Sequence, residues 1–322
     1  MVENFDQAEL YEGIFRDRAA GIATIPFSFH RFPTKFGHER NVTGDIIYRE
    51  VYDYYYEESG SKDAWPAWEM NDYDTVQGTG RFPLNLSNIF FMINLLLPGT
   101  SIIYYGDEIG MNSKNFTLQY EDVRDPYSKK PYCNQTKYEN GECICRDASR
   151  TPMQWTNGAN AGFTNATNGT WLPINENDYE IFNVDYQQDF HLQSFRNISL
   201  LRETNAFKYG GMYFPYHDEN IFSFLRKDPD DDIAYLAVIN IGQKGENQRY
   251  VDFTSAIPDF PPCGTLVAST DLTDVEHLNH THGLSYGSRI PMYAVELDPY
   301  EGFVIELDFG QDEDEGCTER TM

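Results

Sequence analysis

Basic residues are scarce in this 322-residue chain: 24 Lys and Arg face 51 Asp and Glu, a formal net charge of −27. Such a potential repels phosphate backbones and anionic lipid, so nucleic acid is excluded as a partner and neutral or cationic ligands are favoured. Long hydrophobic runs are missing as well. The richest, "IFFMINLLL" at 89–97, holds Asn94 and has nine residues, about half of what a membrane crossing needs. The opening "MVENFDQAEL" has neither the basic nor the apolar region of a secretory leader. Cysteine is sparse. Cys133, Cys143 and Cys145 cluster and Cys263 and Cys317 stand apart, with no CxxC pair, which argues against zinc and leaves two disulfides plus one odd thiol possible. The seven histidines show no ligand spacing, so neither a metal nor any other cofactor is expected.

Aromatics, by contrast, make up 15% of the chain and apolar residues 40%, enough for a sizeable core. Asn-x-Ser/Thr sequons are also in excess: Asn41, Asn85, Asn115, Asn134, Asn165, Asn168, Asn197 and Asn279. This density points to a glycosylated chain that is secreted or stands on the extracellular face of the plasma membrane. A secretory composition without a secretory signal implies a piece of a longer protein. Membrane association is then expected only through a segment absent from this chain.

The first two-thirds alternates strand-like and helix-like segments. "GIATIPFSF" (21–29), "AWPAWEM" (64–70) and "TSIIYYG" (100–106) read as strands; "GDIIYREVYDYYYEE" (44–58) and "LSNIFFMINLLLPG" (86–99) read as helices. Such alternation implies parallel pairing and an α/β architecture. A long loop excursion follows at about 112–180. Residues 184–207 read as one helix whose apolar face carries Phe190, Phe195, Ile198, Leu200 and Leu201. Beyond Gly210–Gly211 come only short strands separated by Asp, Gly and Pro turns, the pattern of an all-β Greek-key sandwich. The expected division is 1–210, 211–310, and an acidic tail 311–322 that is loose at its end.

In a β/α barrel, reactive residues lie at the C-terminal ends of strands. Glu3, Asp74, Asp107 and Glu108 hold such positions, and paired carboxylates there suit glycoside hydrolysis. Asp107 and Glu108 are expected to cap and salt-bridge, and Asp72 to be a loop carboxylate.

The motifs "RDASRTPMQW" (146–155), "GDEIGM" (106–111) and "AGFTN…TWLPIN" (161–175) narrow the field. Together they resemble the α-glucosidase (maltase) branch of the α-amylase-type glycoside hydrolases, from residue 1 to about 310. The heavy subunits of heteromeric amino-acid transporters share that fold. The resemblance implies the C-terminal half of a (β/α)8 barrel followed by the all-β Greek-key domain. It implies Glu3 as general acid/base and Asp74, in "NDYDTVQ", as the carboxylate that stabilises the transition state. Arg150 matches an arginine that contacts sugar hydroxyls, with Arg146 as the alternative. The implied reaction is retaining cleavage at the non-reducing end of a disaccharide or oligosaccharide such as maltose or sucrose.

Three departures follow. The family's nucleophilic Asp and the first half of its barrel both fall upstream of the Glu3 strand, so this chain alone is expected to be inactive. In the substrate-binding site, Tyr73 replaces the family's His and Gln77 its Arg. These departures keep two alternatives open: a non-catalytic ectodomain of an amino-acid transporter heavy subunit, or a secreted sugar-binding protein or receptor.

Overall fold

The computed structural model describes residues 2–4, 26–28, 42–58, 65–74, 84–111, 118–126, 128, 129, 134, 146–176, 178–242, 249–257, 259–270, 284–310 and 317. Four short strands lead: β1 (Val2–Asn4), β2 (Pro26–Ser28), β3 (Ala67–Glu69) and β4 (Thr100–Ile102). β1 pairs with β2 and β3 with β4, both in parallel, and β2 lies beside β3. A strand therefore lies within each of the expected segments 21–29, 64–70 and 100–106.

The first helix, α1 (Gly44–Tyr52), starts where Thr43 Oγ1 accepts the Ile46 amide at 3.2 Å, and it buries Ile47 and Val51. Residues Asp53–Glu58 then widen into a π-helical turn in place of the continued α-helix the sequence predicts. The tyrosines gain by it: Tyr54 is buried edge-on to Trp68, and Tyr56 reaches the Met212 carbonyl at 2.9 Å.

Helix α2 (Leu84–Leu96) is apolar nearly all round and buried from Leu86 onward, so it forms the centre of the core rather than a surface helix. It stops at Pro98–Gly99. Gly99 has φ +121°, and a Cβ there would stand 2.4 Å from the Pro66 carbonyl oxygen, so glycine is required for the turn into β4. Trp68 Nε1 donates to the Pro98 carbonyl at 2.7 Å, tying that turn to β3.

The single helix expected over 184–207 is instead α3 (Val184–Gln187), α4 (His191–Leu200), a 3-10 turn Leu201–Glu203, and α5 (Asn205–Lys208). Gln187 Oε1 accepts the His191 amide and so replaces a backbone bond of a continuing helix. Phe190 falls in the break, and Leu200 faces solvent, 65% exposed. Neither sits on the expected apolar stripe.

The C-terminal part is antiparallel. Its six-stranded sheet runs β10 (Arg289–Pro291), β9 (Cys263–Ser269), β12 (Glu301–Asp308), β7 (Ile233–Asn240), β6 (Ile221–Lys227), β5 (Gly211–Tyr213). A second pair, β8 (Arg249–Val251) with β11 (Val295–Leu297), covers one face around Phe253, Phe303 and Ile305. The other face, with Phe222, Phe224 and Val304, packs on the α2 core. Cys263 is disulfide-bonded to Cys317, so the acidic tail is tied back at that residue. Cys133, Cys143 and Cys145 lie outside the described residues. Among the described residues no helix is long and apolar enough to cross a membrane.

Candidate functional site

The site grows from the ends of β3 and β4. Asn71, just past β3, donates through Nδ2 to Asp107 Oδ1 at 2.7 Å, and the other Asp107 oxygen accepts the Tyr104 amide at 3.0 Å. Buried Asp107 thus fastens the two strand ends together, the capping role expected of it. Buried Asp72 is a loop carboxylate, as expected: its Oδ1 accepts the Asp74 amide at 2.6 Å and folds the turn that aims Asp74 outward.

Both oxygens of Asp74 meet arginines. Oδ2 lies 2.9 Å from Arg146 Nη1 and Oδ1 lies 2.6 Å from Arg150 Nη2. Arg146 also forks onto Asp125 through Nε and Nη2, each at 2.7 Å, a bidentate pairing of the strong kind. That bond, with the charge of Asp74, holds the Arg146 pKa above its ordinary value. Arg150 donates through Nε to the Tyr73 carbonyl at 2.8 Å and lies 5.6 Å from the Tyr73 ring centroid, a cation–π contact. Asp147 Oδ2 takes the amides of Arg124 and Asp125 at 2.5 and 2.8 Å, which fixes the loop that carries Asp125.

The tyrosines after β4 position the 146–155 segment: Tyr104 donates to the Ser149 carbonyl at 2.8 Å and Tyr105 to the Thr151 carbonyl at 2.5 Å. Beside Arg150 opens a cleft of about 410 Å³ lined by Tyr105, Glu108, Trp155, Phe163 and Trp171. Glu108 accepts the Gly106 amide at 2.8 Å, and burial pushes its pKa up. It caps the turn through that bond, the capping role expected of it. Among the described residues no group of three or more His, Cys, Asp or Glu is arranged to hold a metal ion.

Of the residues singled out from sequence, the structure brings Tyr73, Asp74, Arg150 and the alternative Arg146 together. Glu3 sits mid-strand on β1, opposite Phe27, with its side chain outside the described residues; Gln77 lies outside them altogether. Asn134, Asn165 and Asn168 are exposed. Asn197 is half-buried on α4, with Oδ1 accepting from Gln193 at 2.8 Å. Asn85 is in the first turn of α2 with its side chain outside the described residues, as are Asn41, Asn115 and Asn279 entirely. Sequence reasoning missed Asp125 and Asp147. Asp147 lies within the quoted "RDASR", but nothing marks Asp125 among 51 acidic residues. Trp155, Phe163 and Trp171 also lay in quoted motifs, without an assigned role.

A model of the alpha-amylase catalytic domain matches residues 3–210. The amino acid transporter heavy chain SLC3A1 of Mus musculus is 28% identical over 308 residues, covering 94% of this chain and 38% of that protein. An alpha-glucosidase of Apis mellifera is 31% identical over 182 residues, 56% of this chain and 30% of that protein. The structure of the isomaltulose synthase SmuA from Protaminobacter rubrum superposes with a TM-score of 0.69 at 19% identity, covering 94% of this chain and 54% of that one. The chain therefore spans less than half the length of the curated relatives it matches.

Proposed function

The chain belongs to the alpha-amylase family, and from that premise we propose that it carries the second half of a maltase-type α-glucosidase domain. In the whole protein, Glu3 protonates the leaving oxygen, Asp74 stabilises the positive charge on the reacting sugar, and a nucleophile supplied from outside residues 1–322 completes a retaining mechanism. Arg150 and Tyr73 contact the sugar. One observation carries the reading: a single guanidinium, Arg150, joins Asp74, the Tyr73 carbonyl and the aromatic cleft. Aromatic walls with a few oriented polar groups suit a pyranose ring. The substrate is a disaccharide or oligosaccharide with an α-glucosidic bond.

We further infer a partial barrel over 1–210, a Greek-key sandwich over 211–310 and a tail over 311–322. The end of the family match at 210 and the insertion of β12 between β7 and β9 support this division. An extracellular setting, with glycans first at exposed Asn134, Asn165 and Asn168, fits the sequon excess.

The test compares the full-length gene product with residues 1–322 on a chromogenic α-glucoside. Turnover by the former, lost in Glu3→Gln and Asp74→Asn, with none from the latter, is expected. A full-length protein that is inert even as Tyr73→His would overturn the reading.

A second reading is a non-catalytic chain of the transporter heavy-subunit type. It is favoured by the pairing of both Asp74 oxygens with arginines, which spends the negative potential a cationic transition state needs. The match along 94% of the chain to the SLC3A1 heavy chain supports it too. Co-purification with a membrane transport protein, together with sugar-independent folding and no turnover, distinguishes it.

A further inference from the structure

Away from the strand ends, α2 and α4 pack against each other. Asn88 and Phe91 on one helix face His191, Ser194 and Ile198 on the other, each set at the three- and four-residue spacing of a single helix face. With Thr270, just past β9, they line a cavity of about 10 Å³, room for one water molecule. Asn88 is 5% exposed and His191 3%, so neither reaches bulk solvent. Yet Asn88 Nδ2, Asn88 Oδ1 and His191 Nδ1 are buried without a hydrogen-bond partner among the described residues. Both ends of the Asn88 amide are open, so turning it over changes nothing. Three bare polar atoms would each carry a desolvation cost, which folded proteins meet with internal water.

The donor set fits water better than an ion. His191 Nε2 lies 2.9 Å from the Asp107 carbonyl oxygen, which can only accept. Nε2 therefore carries the proton and Nδ1 presents a lone pair. Burial lowers the pKa of the ring to about 4, so it is neutral under physiological conditions. Asn88 offers one donor and one acceptor. Ser194 Oγ donates to the Ser269 carbonyl at 2.7 Å and keeps a lone pair; Thr270 Oγ1 accepts the Gly302 amide at 2.9 Å and keeps its proton. A cation would be opposed by the Asn88 and Thr270 donors, and an anion by the imidazole lone pair. Water meets both kinds of group.

We propose that this cavity binds one water molecule, which accepts from Asn88 Nδ2 and donates to His191 Nδ1, and that Asn88 acts through it as a positioning residue for the imidazole. The other ring nitrogen holds the Asp107 carbonyl, and Asp107 fastens the ends of β3 and β4. The water thus fixes the tautomer on which that contact depends, since the bond at one imidazole nitrogen sets the role of the other. Phe91, edge-on to the ring at 5.7 Å, restrains its rotation. The site is independent of the α-glucosidase reading.

The test uses the full-length protein, with a crystal structure to locate water and histidine-selective 15N NMR to read Nδ1, the resonance being assigned through His191→Gln. Asn88→Leu removes both polar atoms at nearly constant volume, and Asn88→Ser keeps a donor and an acceptor. The wild type is expected to show a water within hydrogen-bond distance of Asn88 and His191 Nδ1. Asn88→Leu should lose that water and move the Nδ1 resonance toward that of a free lone pair, leaving the other histidines unmoved; Asn88→Ser should retain both signals. Empty density in the wild-type cavity overturns the water site. Loss of the water in Asn88→Leu with Nδ1 unmoved overturns the positioning role. Should Asn88→Leu fail to fold, the wild type decides alone: an Nδ1 resonance already at the free lone-pair position overturns the proposal.

Discussion

Two pairs of arginines divide the molecule. Arg146 and Arg150 face carboxylates at the strand ends. Arg202 and Arg226 face backbone carbonyls: Arg226 donates to Leu96, Phe207, Gly210 and Gly211, and Arg202 to Leu95, Leu97 and Gly99. The surroundings push Arg146 and Arg226 in opposite directions. Asp125 raises the pKa of Arg146, whereas burial lowers that of Arg226 to about 10, which leaves it charged at neutral pH. The second pair answers the orphan carbonyls and negative end of α2, a need every helix has. The first pair gathers three acids that no element end demands, and that surplus of charge is the mark of a site.

The contrast is most open to disproof at Arg226, which is 2% exposed and joins α2, α5 and β5. Arg226→Met strands four carbonyls, two of them fully buried, and should destabilise by about 3–4 kcal/mol. Arg226→Lys should recover only a small part, because an ammonium cannot span the fork. Urea midpoints measure both. A loss below about 1 kcal/mol would show that the carbonyls find other partners and that the two pairs do not differ in kind.

His191 joins the two regions, since it begins α4 and its Nε2 donates to the Asp107 carbonyl at 2.9 Å. Burial lowers its pKa to about 4, below the unfolded value of about 6.5. The sign follows: the unfolded chain binds the proton first, so stability present above the unfolded pKa is lost as pH falls toward the folded one. Between pH 7 and pH 5 the wild type should lose about 2 kcal/mol more than His191→Gln. Equal losses would mean that α4 opens to admit the proton without unfolding.

How much of this could be read in advance differs by region. The strands at β3, β4, β6 and β7 and the burial of α2 follow from apolar periodicity, which the tertiary structure respects. The break at Phe190 does not, because it depends on one side chain, Gln187, taking a backbone amide. At the site, the nearness of Asp74 and Arg150 was implied by motif positions, although the double clamp was not. Asp125 comes from a loop far along the chain, and only the fold brings it to Arg146.

The clamp itself is a smaller lever. Asp74→Asn removes one charge from two ion pairs whose members are about a fifth exposed, so solvent screening limits the expected stability loss to about 1–2 kcal/mol. Thermal melts should show it. In an Arg146→Met, Arg150→Met background, the same Asp74→Asn exchange should lose most of its effect. Additive losses would mean that the three groups act singly and the site is not a unit.

Tyr73→His has the smallest structural effect and the sharpest functional one. The Tyr73 backbone carbonyl, not its side chain, holds Arg150 Nε, and the ring is 41% exposed. Loss of the exposed cation–π contact should therefore cost about 0.5 kcal/mol, within the scatter of surface substitutions. On the proposed α-glucosidase reading, however, a histidine in the full-length protein would supply an oriented donor beside the scissile bond. Turnover should rise by roughly 10- to 100-fold, the scale of one such donor. A flat response with unchanged stability would move the limit from Tyr73 to the arginines. Asp74 would then be held as firmly for structure as the helix end is by Arg226, and the two pairs would serve the same purpose.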